Sequence, residues 1–226
     1  MFADITSANV VGYKAEALRE GFIMVTPSFV NIADAKAGID LLGLIPGGEY
    51  GSDDITVQTL NFDGTTDKMY TFGKDRRGNW FWSDVDTGDK IEEGDVSFAT
   101  GTGLWVGGVD STTLTTAGAV STDDTVVTLR EGFIASGNMT PVAIDLLDLI
   151  PGGEYGSDDI TVQTLNFDGT TDKMYTFGKD RRGNWFWSDV DTGDKIEEGD
   201  VVINPGQGLW IGGVDGATLT IPGPTL

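Results

Sequence analysis

Apolar and polar residues alternate along most of the chain in short runs interrupted by Gly, Asp, Asn and Pro, the period-two pattern of half-buried β-strands. It predicts strands near residues 9–18, 22–30, 55–62, 68–72, 80–82, 103–106 and 112–116 of the first half. Within 55–62 the apolar phase switches between Val57 and Leu60, which a strand accommodates with a bulge or a strong bend. Asp63-Gly64 and the polar stretch 73–79 read as the turns between successive strands. One stretch departs from this alternation. Thr140-Pro141, followed by Ile144, Leu147 and Ile150 and ended by Pro151-Gly152-Gly153, predicts a short helix over 140–150, capped by Thr140 with Pro141 in its first turn. Its counterpart spans about 35–45 and stops at Pro46.

Residues 44–96 recur without a change as residues 149–201, a constant offset of 105. Packing dictates core positions and special turns but leaves most exposed positions free, so an unbroken identity of 53 residues includes surface that the fold does not demand. Identity stops abruptly on both sides. Ser97-Phe98-Ala99-Thr100 faces Val202-Ile203-Asn204-Pro205, although Leu18-Arg19-Glu20-Gly21-Phe22-Ile23 returns as Leu129-Arg130-Glu131-Gly132-Phe133-Ile134. The 226 residues suit two domains, 1–120 and 121–226, that meet in the polar stretch 119–125. The expected fold is all-β: two tandem small β-sandwich or barrel-like domains, each with one short helix.

Composition narrows the chemistry. The chain has no Cys and no His, which removes disulfides, thiolate chemistry, the commonest general base and the commonest transition-metal ligand. Nothing singles out a catalytic pair of carboxylates, so no enzyme is expected. The formal charge is −22, from 36 acidic and 14 basic residues, which argues against nucleic acid or an anionic membrane as partner. There is no apolar run long enough to span a bilayer and no basic-then-apolar leader before Phe2-Ala3-Asp4. The expectation is a chain not inserted in a membrane, either cytoplasmic or secreted with its leader removed.

Three features carry candidate chemistry in each copy. The acidic loop 84–95 and its twin 189–200 alternate Asp around a Gly, as a loop that wraps a hard cation does. Asp84, Asp86, Asp89 and Glu92, with Asp189, Asp191, Asp194 and Glu197, are the candidate calcium ligands. A solvated hairpin turn explains the same residues, since Thr87 stands before Gly88 and Asp95 at the twelfth place. No cofactor is required. The strand Trp80-Phe81-Trp82 sends both indoles to one sheet face; exposed, Trp80 and Trp82 (Trp185 and Trp187 in copy two) would form a glycan platform extended by Tyr70, Phe72 and Trp105, and buried they are core. Lys74, Arg76 and Arg77, repeated as Lys179, Arg181 and Arg182, form the one basic cluster. It lacks the pattern of a phosphate-binding loop and suits either a solvated turn or a contact with an acidic loop of another copy. Such a contact between unlike surfaces propagates into filaments, whereas a two-fold contact between the copies would end growth. The extended stretch 5–13 either belongs to its own domain or pairs with an edge on a neighbour.

The opening Asn9-Val10-Val11-Gly12-Tyr13 with Leu18-Arg19-Glu20-Gly21-Phe22-Ile23-Met24-Val25, and the closing Asn204-Pro205-Gly206-Gln207-Gly208-Leu209-Trp210-Ile211 with Thr218-Leu219-Thr220, resemble an uncharacterised class of secreted β-domains of environmental bacteria. In copy one Ala99-Thr100-Gly101-Thr102-Gly103 stands where copy two has Pro-Gly-Gln-Gly. The resemblance implies an extracellular or cell-surface location and brings no catalytic residues. The expected function is that of an extracellular structural protein, a subunit of a surface filament or layer assembled from its own copies by head-to-tail β-domain contacts. The alternative is a tandem glycan-binding, adhesin-like module.

Overall fold

The computed structural model describes residues 11–29, 38–61, 63–166 and 170–224. Copy one contains β1 (Val11–Leu18), β2 (Gly21–Val25), β3 (Ile39–Asp40), β4 (Leu44–Gly48), β5 (Ile55–Leu60), β6 (Thr66–Lys74), β7 (Trp80–Asp84), β8 (Ser97–Phe98), β9 (Leu104–Gly108) and β10 (Thr112–Ala119). Copy two repeats the series as β11 (Thr125–Thr128), β12 (Gly132–Gly137), β13 (Ile144–Asp145), β14 (Ile150–Gly153), β15 (Ile160–Leu165), β16 (Thr171–Lys179), β17 (Trp185–Asp189), β18 (Val202–Ile203), β19 (Gly208–Gly213) and β20 (Ala217–Ile221). In each copy a five-stranded antiparallel sheet, β2-β9-β5-β6-β7 or β12-β19-β15-β16-β17, faces a three-stranded one, β1-β10-β4 or β11-β20-β14. The fold is all-β and sandwich-like. Leu18, Leu44 and Leu114 from the small sheet meet Val25, Ile55, Val57, Trp82, Leu104 and Val106 from the large one in the core of copy one. An equivalent core around Leu129, Leu149, Leu219, Ile160, Trp187, Leu209 and Ile211 fills copy two.

The predicted bulge is present: the β5–β6 register shifts between Thr59 and Leu60, and the β15–β16 register between Thr164 and Leu165. The turn at Asp63-Gly64 closes through Asn61 N–H to Thr65 O at 2.8 Å, with Gly64 at φ +80°, a conformation that favours glycine.

The predicted helices are corrected. Residues 140–150 do not form one; the helical part is a single 3-10 turn, Leu146–Asp148, and its counterpart is Leu41–Gly43. Asp145, not Thr140, is the cap: its carboxylate accepts from Leu147 N–H, and Asp148 reaches back to the Asp145 N–H at 2.8 Å. Thr140 is buried beside Asn138. The turn cannot lengthen because sheet pairing claims both flanks, Ile144 with Ile203 and Ile150 with Thr220. Burial accordingly falls on Ile144, Leu146 and Leu149, leaving Leu147 and Ile150 exposed. Pro46 ends no helix; it lies in β4 opposite Leu114, on an outer strand where its missing N–H costs nothing. Of the stretch 5–13, residues 5–10 lie outside the described residues, while 11–13 pair in β1 with residues 117–119 of the same copy.

Candidate functional site

The two copies meet through corresponding positions. Val25, at the end of β2, bridges to Gln207, and Thr26 N–H donates to Gly206 O at 2.9 Å. On the other side Gly103 N–H donates to Ala135 O at 2.9 Å. The backbones come so close that a Cβ on Gly208 would lie 2.6 Å from the Met24 carbonyl carbon, and one on Gly103 would lie 2.7 Å from that of Ala135. Gly103 and Gly208 are counterparts at the offset of 105, and Met24 and Ala135 hold the same place after the Gly-Phe-Ile motif. The junction therefore has an approximate two-fold axis. One side of it carries charge: the half-buried Lys14 donates to Glu16 and to the Pro205 carbonyl of copy two, and burial pushes its ammonium down to about 8.

Because β2 and β12 take the junction, β7 and β17 end the sheet orders on the far side of each copy. Four strand spacings place them about 19 Å from the junction strands. The turn 74–79 leads into β7. Asp75 organises it, accepting from Arg77 N–H at 2.8 Å, Asn79 N–H at 2.9 Å and Asn79 Nδ2 at 3.0 Å. The Asn79 side-chain and backbone hydrogen bonds hold the Asp75 carboxyl below its ordinary range. Asp180 does the same in copy two with Arg182 and Asn184. Arg76, Arg77, Arg181 and Arg182 stand exposed and form no ion pair among the described residues. Lys74 and Lys179 lie 4.4 Å over the rings of Trp80 and Trp185.

The acidic loop follows β7 on its other end. Asp84 accepts from the N–H groups of Thr87 and Asp86, which lowers its pKa, and Asp189 matches it with Thr192 and Asp191. Lys68 reaches Asp86 at 3.9 Å and Lys173 reaches Asp189 at 3.8 Å. Asp86, Asp89, Glu92, Asp191, Asp194 and Glu197 are exposed. No group of three or more acidic side chains converges on a point suited to a metal among the described residues. The hydrogen bonds of Asp84 and Asp189 are those of a hairpin turn.

The Trp-bearing face of β7 points inward. Trp82 and Trp187 are 2% exposed, and the Trp82 Nε1–H donates to Leu44 O at 3.3 Å. Burial takes both out of any glycan platform. Tyr70 is core as well, and Trp105 lies on the opposite sheet face beside Phe22. Trp80 and Trp185 are half-buried, but Phe72 and Phe177 stack on them at 3° between planes. An ammonium cannot enter a ring stack, so Lys74 and Lys179 cover the remaining face. Beside each Trp opens a groove between β4 and β7, of about 500 Å3 in copy one and about 600 Å3 in copy two, lined by apolar side chains together with Lys90, Glu92 and Glu93 in copy one and Lys195, Glu197 and Glu198 in copy two. It is rimmed by Leu42 and Ile45 in one copy and by Leu147 and Ile150 in the other, the isoleucines 54% and 58% exposed.

The structure thus brings the Trp, basic and acidic residues to one edge per copy, at the two ends and middle of β7. None of the hydrogen bonds or ion pairs that join the copies among the described residues involves them. The junction glycines and Lys14 were not singled out by the sequence reading. Their signal was a pair of Gly residues kept just before Leu-Trp in both copies, Gly101 and Gly103 against Gly206 and Gly208, where the surrounding residues diverge. Comparison with family models, with characterised proteins and with solved structures finds no match. No helix among the described residues is long and apolar enough to cross a membrane.

Proposed function

We propose that the chain is a non-enzymatic structural subunit of an extracellular filament or layer built from its own copies. One observation carries this reading: the two copies join by an approximate two-fold contact that leaves the same edge, built from the identical 53 residues, facing outward at both ends. Such a unit is bivalent. If its end faces bind one another, it polymerises without needing the head-to-tail contact between unlike surfaces. The identity of exposed residues that packing does not demand fits a repeated contact. The extracellular location rests on the resemblance of the domain ends to secreted β-domains. Negative-stain electron microscopy of the purified chain between about 50 and 500 mM salt tests the reading. Regular filaments or sheets are expected, and dispersed two-lobed particles in every condition overturn it. A second reading, a tandem glycan-binding module, retains one supporting observation: Trp80 and Trp185 each line an open groove. In that case Trp80→Ala with Trp185→Ala abolishes binding to a glycan array that the parent chain recognises.

A further inference from the structure

We infer that a pocket shared by the two copies, on the outer face of the copy-two sheet, binds an uncharged carbohydrate. Such binding requires no assembly of the chain. Leu209 and Ile211 of β19 point into the core, so Trp210 between them points to the outer face. Its cross-strand neighbours are Gln163 of β15 and Ala135 of β12. Ala135 is too short to cover an indole. Two residues along β12, Phe133 lies opposite Gly212, where a Cβ would come within 2.9 Å of the Phe133 ring. The glycine lets that ring lie beside Trp210, edge to face at 6.1 Å between centroids and 77° between planes. The Asp63-Gly64 turn of copy one closes the far side, a Cβ on Gly64 falling 3.7 Å from the Trp210 ring. The enclosed volume is about 390 Å3, in the range of small-molecule sites. The pocket lies three strands from β17, which carries Trp185.

The chemistry of the walls selects the ligand. The apolar corner of Trp210 and Phe133 suits the C–H face of a pyranose ring, and polar groups stand around it. Asp63 Oδ1 accepts from the Thr65 N–H at 2.9 Å and from the Thr65 hydroxyl at 2.5 Å. Those bonds fix the turn and favour the ionised carboxyl, whose Oδ2 has no partner among the described residues. Gln163 is 8% exposed. Its Oε1 accepts from the Thr171 hydroxyl at 2.7 Å, and its amide N–H groups have no partner among the described residues. Acceptor and donor side by side match the hydroxyls of a sugar, each of which both donates and accepts. Asp63 is the one charged side chain among those lining the pocket, and the chain carries −22, so anionic sugars are repelled. A quaternary ammonium would use the rings and Asp63 but leave the buried Gln163 donors unpaired. Asp63 and Gly64 come from copy one and every other lining residue from copy two. The pocket therefore exists only while the copies are joined, and a bound ligand stabilises the junction.

Isothermal titration of the full chain with cellohexaose, maltohexaose, mannohexaose and N-acetylchitohexaose, and with choline for comparison, tests the site. At least one sugar is expected to bind with a Kd of about 1 mM or tighter and to slow proteolysis between residues 119 and 125. Trp210→Ala is expected to abolish that binding. Asp63→Ala, on an exposed turn where the fold does not depend on it, is expected to raise the Kd by about tenfold or more. Gly103→Val with Gly208→Val parts the copies without altering a residue that lines the pocket, and is expected to abolish binding as well. Trp80→Ala with Trp185→Ala is expected to leave the Kd unchanged, which separates this site from the grooves beside β7 and β17. Binding by none of these sugars, a Kd unmoved by Asp63→Ala, or choline bound in place of sugar overturns the inference. Loss of binding through Trp80→Ala and Trp185→Ala, with Asp63→Ala silent, overturns it in favour of the grooves.

Discussion

Single carboxylates and one lysine give the chain its pH dependence. Hydrogen bonds in the fold hold protons off four carboxylates, those of the Asn79 and Asn184 side chains and backbones at Asp75 and Asp180 and those of backbone N–H groups at Asp84 and Asp189. Their folded pKa values lie below the unfolded ones, so their stabilisation is present above the unfolded values and is lost as pH falls through the folded ones. Thermal melts are expected to lose stability as pH drops below about 4, and Asp75→Ala with Asp180→Ala to flatten that fall. Lys14 works in the opposite range. Burial lowers it from 10.5 to about 8, so between those values the unfolded chain binds more protons and stability rises with pH. At neutral pH Glu16 and the Pro205 carbonyl receive the charged form. Lys14→Met is expected to remove the rise, and chemical denaturation at pH 7.5 and 10 checks it. In the core, Leu146 is fully buried at the 3-10 turn, and Leu146→Ala is expected to cost about 3 kcal/mol by denaturant titration.

At the scale of elements, Gly103 and Gly208 make the junction. A side chain at either would displace the opposing backbone, so Gly103→Val with Gly208→Val is expected to part the copies while both sandwiches stay folded. Limited proteolysis between residues 119 and 125 reads the change, and an unaltered digestion rate counts against the junction. What was legible in the sequence depended on how local its cause was. The bulge at Thr59/Leu60 and the turn at Asp63-Gly64 follow from side-chain alternation and turn chemistry within a few residues. The helix over 140–150 was misread because cap, Pro and apolar spacing are local signals, whereas the pairing of Ile144 with Ile203 and Ile150 with Thr220 is remote. The alternation in Trp80-Phe81-Trp82 placed both indoles on one face but could not tell the core side from the solvent side. That choice was made by Leu44 across the sandwich, whose carbonyl takes the Trp82 N–H.

At the scale of the whole molecule the decisive quantity is valence. The net charge of −22 repels chains at long range, and salt near 0.1 M screens charges more than about 10 Å apart, so the proposed assembly is expected to be weakest at the lowest ionic strength. Valence gives the sharper consequence. In the proposed assembly a chain carrying Arg181→Glu and Arg182→Glu keeps one outer edge unaltered and alters the other. If the edges pair with their own kind, growth stops after one contact, and the product is a discrete pair of chains of about 48 kDa, twice the 24.0 kDa of one. The mirror variant, Arg76→Glu with Arg77→Glu, stops at the same size because the two edges are alike. Sedimentation velocity distinguishes the pair from polymer and from monomer. Continued polymerisation of either one-edged chain would mean that growth runs through a surface other than the two edges.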